Sequence, residues 1–252
     1  MKRSVNSLVG YTIKAKDGEL GKVSEFYFDD ITWSIRYLVV ETGNWLNEKK
    51  IIIPHAALGL TDWKSQTFQV NLTMDQVRNS PDFETQKTVS RQHEIKLFTH
   101  YGFPLYWDNV FYDGAVGMSP YIPIYDINPV KKEKNSEKQH PDDLHLRSTE
   151  KVEGYYIQAK DGEIGHVEDY IIDDEKWNIR FMVVDTTNWL PGRKVLILPR
   201  WINRIDWGES KVYVNLTLES IKNSPEFDPS QPVDMIAERE LFDHYGENLK
   251  PW

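Results

Sequence analysis

The sequence predicts a mainly β protein: two tandem small antiparallel β-barrels, each followed by one or two short α-helices. Three observations support this. The chain repeats itself, with Gly10 aligning to Gly154 at an offset of 144, and 21 of the 37 positions from Gly10 to Leu46 are identical in the second copy. Within each copy apolar and polar residues alternate with the period of strands. Turn-forming pairs (Asp17-Gly18 and Asp29-Asp30, then Asp161-Gly162 and Asp173-Asp174) cut the alternation into short segments. A repeat this long is a duplicated domain, because solenoid units run to roughly 20–50 residues.

Taken in order, Arg3-Ser4 opens the first copy and recurs as Arg147-Ser148. In "WSIRYLVVET", Trp33, Ile35, Tyr37 and Val39 share one strand face, matched by Trp177, Ile179, Phe181 and Val183. The other face holds Arg36 and Thr42, then Arg180 and Thr186, and the arginines are expected to pair with neighbouring acids. Near Leu198 the second copy reads as having one inserted residue, compensated before Asp206, which sets Pro199 opposite Pro54. "TFQVNL" alternates as Phe68, Val70 and Leu72, matched by Val212, Val214 and Leu216.

Helix follows in each copy. Thr73-x-x-Gln76 has the form of a capping box, and Ser80-Pro81 stops that turn with the chemistry to start another. A longer helix is expected from Ser90 to Tyr101, ended by Gly102, and from Asp234 to Tyr245, ended by Gly246. The organisation is therefore domain one over 1–102, an aromatic and Pro-rich strap over 103–130, a polar linker over 131–143 and domain two over 144–252. The linker "KKEKNSEKQHPDD" contains no apolar residue to bury.

Composition bounds the function. With 40% hydrophobic and 27% charged residues the chain has the balance of a soluble globular protein. Cysteine is absent, which excludes disulfides, thiolate nucleophiles and Cys-based metal sites and suits a reducing, cytoplasmic setting. The most apolar window, Ile51–Leu60, is far short of the ~20 residues a membrane helix needs, so no membrane span is expected. The net charge of −9 divides as −2 over 1–130 (13 Lys/Arg, 15 Asp/Glu), zero over 131–143 (4 and 4) and −7 over 144–252 (13 and 20). Neither copy has the basic excess that holds a phosphate backbone, which argues against nucleic acid.

The order Gly10, Ile13, Asp17-Gly18, Gly21, Val23, Asp29, "RYLVV" and Pro54 resembles the PRC-barrel family. That is the fold of the cytoplasmic domain of the photosynthetic reaction centre H subunit, found also in a ribosome-maturation factor. The second copy shows the pattern at Gly154, Ile157, Asp161-Gly162, Gly165, Val167, Asp173, "RFMVV" and Pro199. The "NSPDF" and "HYG" tails are similar to those of bacterial stand-alone members. The resemblance implies the barrel fold and protein contacts, with no shared catalytic residues. It does not bring photosynthesis or ribosome assembly with it: the H subunit has an N-terminal membrane helix, and the ribosome factor pairs one barrel with an RNA-related domain.

Chemistry-bearing motifs are scarce. No phosphate-binding glycine loop, dinucleotide fingerprint or nucleophile elbow occurs. Of the seven histidines only His100 and His244 recur between copies, placed just before Tyr-Gly where an imidazole suits a helix C-terminus. Asp17, Glu19, Asp29 and Asp30, repeated as Asp161, Glu163, Asp173 and Asp174, read as turn formers, because "KDGE" lacks the spacing of a calcium loop. No catalytic residue, cofactor or metal ligand is assigned. The candidate interaction surface is Trp45 and Trp189 in "TGNWL" and "TTNWL", with Asn44, Asn188, Lys49 and Arg193 beside them. Each Trp either lids its own barrel or anchors a partner.

The expectation is a non-enzymatic cytoplasmic adaptor with an unknown protein partner, its two barrels pairing within the chain or between two chains. The alternatives are a small-molecule-binding or hydrolytic protein with its site between the barrels, marked by His and carboxylates of shifted pKa, and an RNA-processing or ribosome-assembly factor.

Overall fold

The structure, a computed structural model, describes residues 1–81, 89–105, 145–186 and 193–246. It is mainly β, with two seven-stranded sheets and a few short helices. The first copy contributes β1 (Lys2–Ser4), β2 (Thr12–Lys14), β3 (Glu19–Asp29), β4 (Ile35–Thr42), β5 (Lys50–Pro54), β6 (Leu58–Asp62), β7 (Thr67–Val70), α1 (Met74–Arg78) and α2 (Arg91–Tyr101). The second contributes β8 (Leu146–Ser148), α3 (Thr149–Val152), β9 (Tyr156–Ala159), β10 (Gly162–Asp173), β11 (Asn178–Asp185), β12 (Lys194–Ile197), β13 (Ile202–Asp206), β14 (Lys211–Val214), α4 (Leu218–Lys222) and α5 (Met235–His244).

The sheets run β5-β4-β3-β2-β7-β6 and β12-β11-β10-β9-β14-β13, each an open path. Two features differ from the sequence reading. Each sheet includes one parallel pair, β2 with β7 and β9 with β14, in an otherwise antiparallel arrangement. The offset of 144 also holds without an insertion: β6 at 58–62 matches β13 at 202–206, and the 3₁₀ turn His55–Ala57 matches Pro199–Trp201. Pro54 thus corresponds to Leu198, and Pro199 is the first residue of its turn.

The seventh strand of each sheet comes from the other copy. β1 lies antiparallel along β10, Lys2 opposite Asp173 and Ser4 opposite Ile171. β8 lies along β3, Leu146 opposite Asp29 and Ser148 opposite Tyr27. The arms are thus exchanged reciprocally about a pseudo-two-fold relation. The turns before β4 and β11 cross as well: Ile35 N–H donates to the Trp177 carbonyl and Ile179 N–H to the Trp33 carbonyl, both at 2.7 Å. Trp33 and Trp177 take left-handed backbone angles there, φ 59° and 52°. Trp33, expected on a strand face, therefore sits in a turn and stacks on Phe28 at 5.3 Å. Trp177 is 9% exposed and lies against Phe26 and Phe68 of the first copy, at 6.3 and 5.8 Å. The buried apolar residues of both copies form one continuous cluster.

Strand β4 buries Ile35, Tyr37 and Val39 as the alternation requires, and Leu38 and Val40 too. Helix α2 meets β4 at Tyr37, whose ring packs edge-on against Phe98 and whose hydroxyl donates to the buried Glu94 carboxylate at 2.7 Å. The helix signals hold. Thr73 and Gln76 close a capping box on α1, Ser90 caps α2, and Gly102 at φ 73° ends it. The extra turn suggested after Ser80-Pro81 falls on 82–88, outside the described residues. The matching Ser224-Pro225 opens an irregular segment, whose Phe227 N–H bonds to Lys194 O on the β12 edge.

Candidate interaction site

The acidic turns build the joint between the copies. Asp29 Oδ1 accepts from the N–H groups of Ile31 and Thr32, and Asp173 Oδ1 from those of Glu175 and Lys176, the turn-forming role expected of them. Their neighbours do something the sequence reading missed. Asp174 receives Arg3 Nε at 2.6 Å and the N-terminal ammonium, and Asp30 receives Arg147 Nε at 2.7 Å. Each guanidinium also lies over an indole, Arg3 over Trp63 at 3.5 Å and Arg147 over Trp207 at 3.8 Å. Beneath them Ser4 hydroxyl donates to Asp169, and Ser148 hydroxyl to Glu25. Burial pushes both carboxyls above their ordinary values despite these bonds. Glu238 on α5 behaves oppositely. Burial raises it, but hydrogen bonds from Lys2 and Arg180 outweigh that and hold it below the usual glutamate value.

Asp17 and Asp161 have structural work too. Asp17 Oδ1 accepts the N–H of Met74 and Asp161 Oδ1 that of Leu218, each at 2.8 Å, joining the "KDGE" turn to the start of a short helix. A Cβ on Gly21 would come within 1.9 Å of Glu41 O, so β3 approaches β4 here as only glycine allows. His100 and His244 bond through Nε2 to the carbonyls of Gln76 and Ser220, both at 2.7 Å. A carbonyl only accepts, so these nitrogens donate, tying α2 to α1 and α5 to α4 rather than capping their own helices. No group of three or more His, Asp or Glu side chains among the described residues is arranged to hold a metal.

Of the sequence-nominated surface, Trp45 lies in a 3₁₀ turn, Asn44–Leu46, and packs half-buried on the core. Its indole N–H donates to Leu20 O at 2.7 Å, and Arg78 stands over its ring at 5.8 Å. Asn44 is exposed beside it, as is Lys49. The Arg193 guanidinium bonds to the carbonyls of Lys222 and Ser224 at the end of α4. Asn188 and Trp189 lie outside the described residues.

A larger concavity lies between the copies, lined by residues that the sequence reading did not nominate as a site. A groove of about 440 Å³ runs from the turn Asp30–Trp33 of the first copy to Pro199–Arg200 and β13 of the second. Arg180, Arg200 and Arg204 line it, with Ile179 and Leu198 among its apolar residues. Among the described residues no histidine lines it, and the carboxyls of Glu25 and Asp169, pushed upward by burial, do not line it either.

Residues 2–72 match the model of the PRC-barrel domain. The chain carries a PRC-barrel domain. The matched span begins at β1, so the family pattern includes the arm that here crosses to the other sheet. The second copy lies outside the matched residues and repeats the strand order of the first copy. A comparison with curated proteins finds no match. Among the described residues no helix is long and apolar enough to cross a membrane.

Proposed function

We propose that this protein is a non-enzymatic, cytoplasmic interaction module, an adaptor built on a duplicated PRC-barrel fold. The observation that supports this most is the use made of its polar residues. The acids and arginines that recur in both copies join arm to sheet across the repeat, and Trp45, the aromatic anchor candidate, spends its N–H on its own copy. What remains is one body with a groove at its seam, suited to holding a partner in a fixed orientation. The test is chemical cross-linking in native cytosol followed by capture and peptide mapping. A defined protein cross-linked through groove residues supports the reading. Recovery of a bound metabolite by native mass spectrometry, with no protein cross-linked, would replace it with the small-molecule reading.

A further inference from the structure

β13 is a terminal strand, with β14 its one strand neighbour among the described residues, and it forms one wall of the seam groove. Terminal strands offer backbone groups to an incoming extended chain. The two copies differ most tellingly along this edge. At the positions of Ala56, Gly59 and Leu60 in the first copy, the second has Arg200, Asn203 and Arg204. Copy two is the more acidic half by −7 against −2, yet it concentrates donors here. Arg204 lies over the Tyr213 ring at 3.7 Å and donates to Asp206 at 3.1 Å, and Arg200 lies over Phe242 at 4.9 Å, so stacking and this exposed ion pair set their directions in advance. Ile202 and Ile205 are half-buried in the same strand, and Ile31 of the first copy is 65% exposed at the facing wall.

Resting on the adaptor reading, we propose that the partner contributes an extended acidic segment that adds to the β13 edge. Its carboxylates meet Arg200 and Arg204, and alternate apolar side chains pack on Ile202, Ile205 and Ile31. Strand periodicity sends alternate residues to opposite faces, so a segment alternating Asp or Glu with aliphatic residues fits. The first copy has no equivalent site, because Ala56, Gly59 and Leu60 supply no charge.

The test is fluorescence anisotropy on the full chain with a labelled peptide of four Glu-Val repeats, beside Gln-Val and Lys-Val peptides and a Glu-Val peptide N-methylated at alternate amides. The Glu-Val peptide is expected to bind and the others to bind at least about tenfold more weakly, the value of losing a charge-assisted hydrogen bond. Arg204→Ala and Arg200→Ala are each expected to weaken binding about tenfold, and Arg78→Ala, on α1, to leave it unchanged. Should Arg200→Ala fail to fold, the exposed Asn203→Asp tests the same wall and is expected to weaken binding comparably. Equal binding of Glu-Val and Gln-Val peptides would overturn the proposal, as would unimpaired binding of the N-methylated peptide. Displacement by free glutamate at matched carboxylate concentration would reduce the groove to a simple anion site and overturn it too. A cytosolic partner that binds Arg204→Glu as well as wild type would refute this surface and leave the adaptor reading standing. If no partner cross-links and no peptide binds, both fail.

Discussion

Replacing Trp177 by alanine tests whether the copies form one cooperative unit, because the residue belongs to the second copy and its ring is buried against the first. It is 9% exposed and lies 6.3 Å from Phe26 and 5.8 Å from Phe68. A buried Trp removes roughly 200 Å² from water, worth about 5 kcal/mol at ~25 cal/mol per Å². Measured Trp→Ala losses of about 3–5 kcal/mol include incomplete collapse of the cavity. The left-handed backbone at φ 52° is unfavourable for either residue and largely cancels. The expected loss is about 4 kcal/mol, or a fall in Tm of roughly 8–16 °C for a chain of this size. The assay is denaturant unfolding, paired with hydrogen exchange read separately on β3 and β7 of the first copy and on β10 and β14 of the second. Protection should fall in β3 and β7 at least as much as in β10 and β14. A loss under about 1 kcal/mol, or exchange changes confined to the second copy, would refute the reasoning.

Three further outcomes follow from the joint. Arg3→Ala and Arg147→Ala should each cost about 2 kcal/mol in denaturant unfolding, since each removes a partly exposed ion pair and a cation–π contact. Similar losses from the two variants would bear out the pseudo-symmetry. Glu25 has its folded pKa raised from 4.5, so it contributes stability below pH 4.5 that is lost as pH rises through the folded value. Glu25→Gln should therefore be at least as stable as wild type at neutral pH, an advantage that disappears in acid, read from Tm against pH. Glu238 is shifted the other way, so its contribution is present above pH 4.5 and lost as pH falls through the folded value. Glu238→Gln should lower Tm at neutral pH and converge with wild type in acid.

The repeat, the strands, the Thr73–Gln76 capping box and the glycine-ended helix were legible because they rest on local chemistry. The exchange of arms was not, and the reason is the repeat itself. Both copies place an arginine at 3 or 147 and an acid at 30 or 174, so pairing within a copy and pairing across copies satisfy the same residues. Only chain geometry separates the two. Trp33 and Trp177 were misread as strand residues because their spacing continues the alternation, whereas each sits in a left-handed turn whose carbonyl bonds to the other copy. One wall of the groove was hidden by the insertion read near Leu198, which drew Pro199 onto Pro54 and so obscured that Arg200, Asn203 and Arg204 replace Ala56, Gly59 and Leu60. The Trp45 turn was legible, but the direction of its indole N–H, onto Leu20 O, is a tertiary fact.

The most direct test of the interlocked pair is to place a specific protease site in the polar segment 131–143, cut it, and pass the product through size exclusion under native conditions. The two fragments should co-elute at the size of the intact chain and unfold in a single transition, because β1 and β8 remain seated in each other's sheets. Fragments that separate without denaturant and unfold independently would contradict the account.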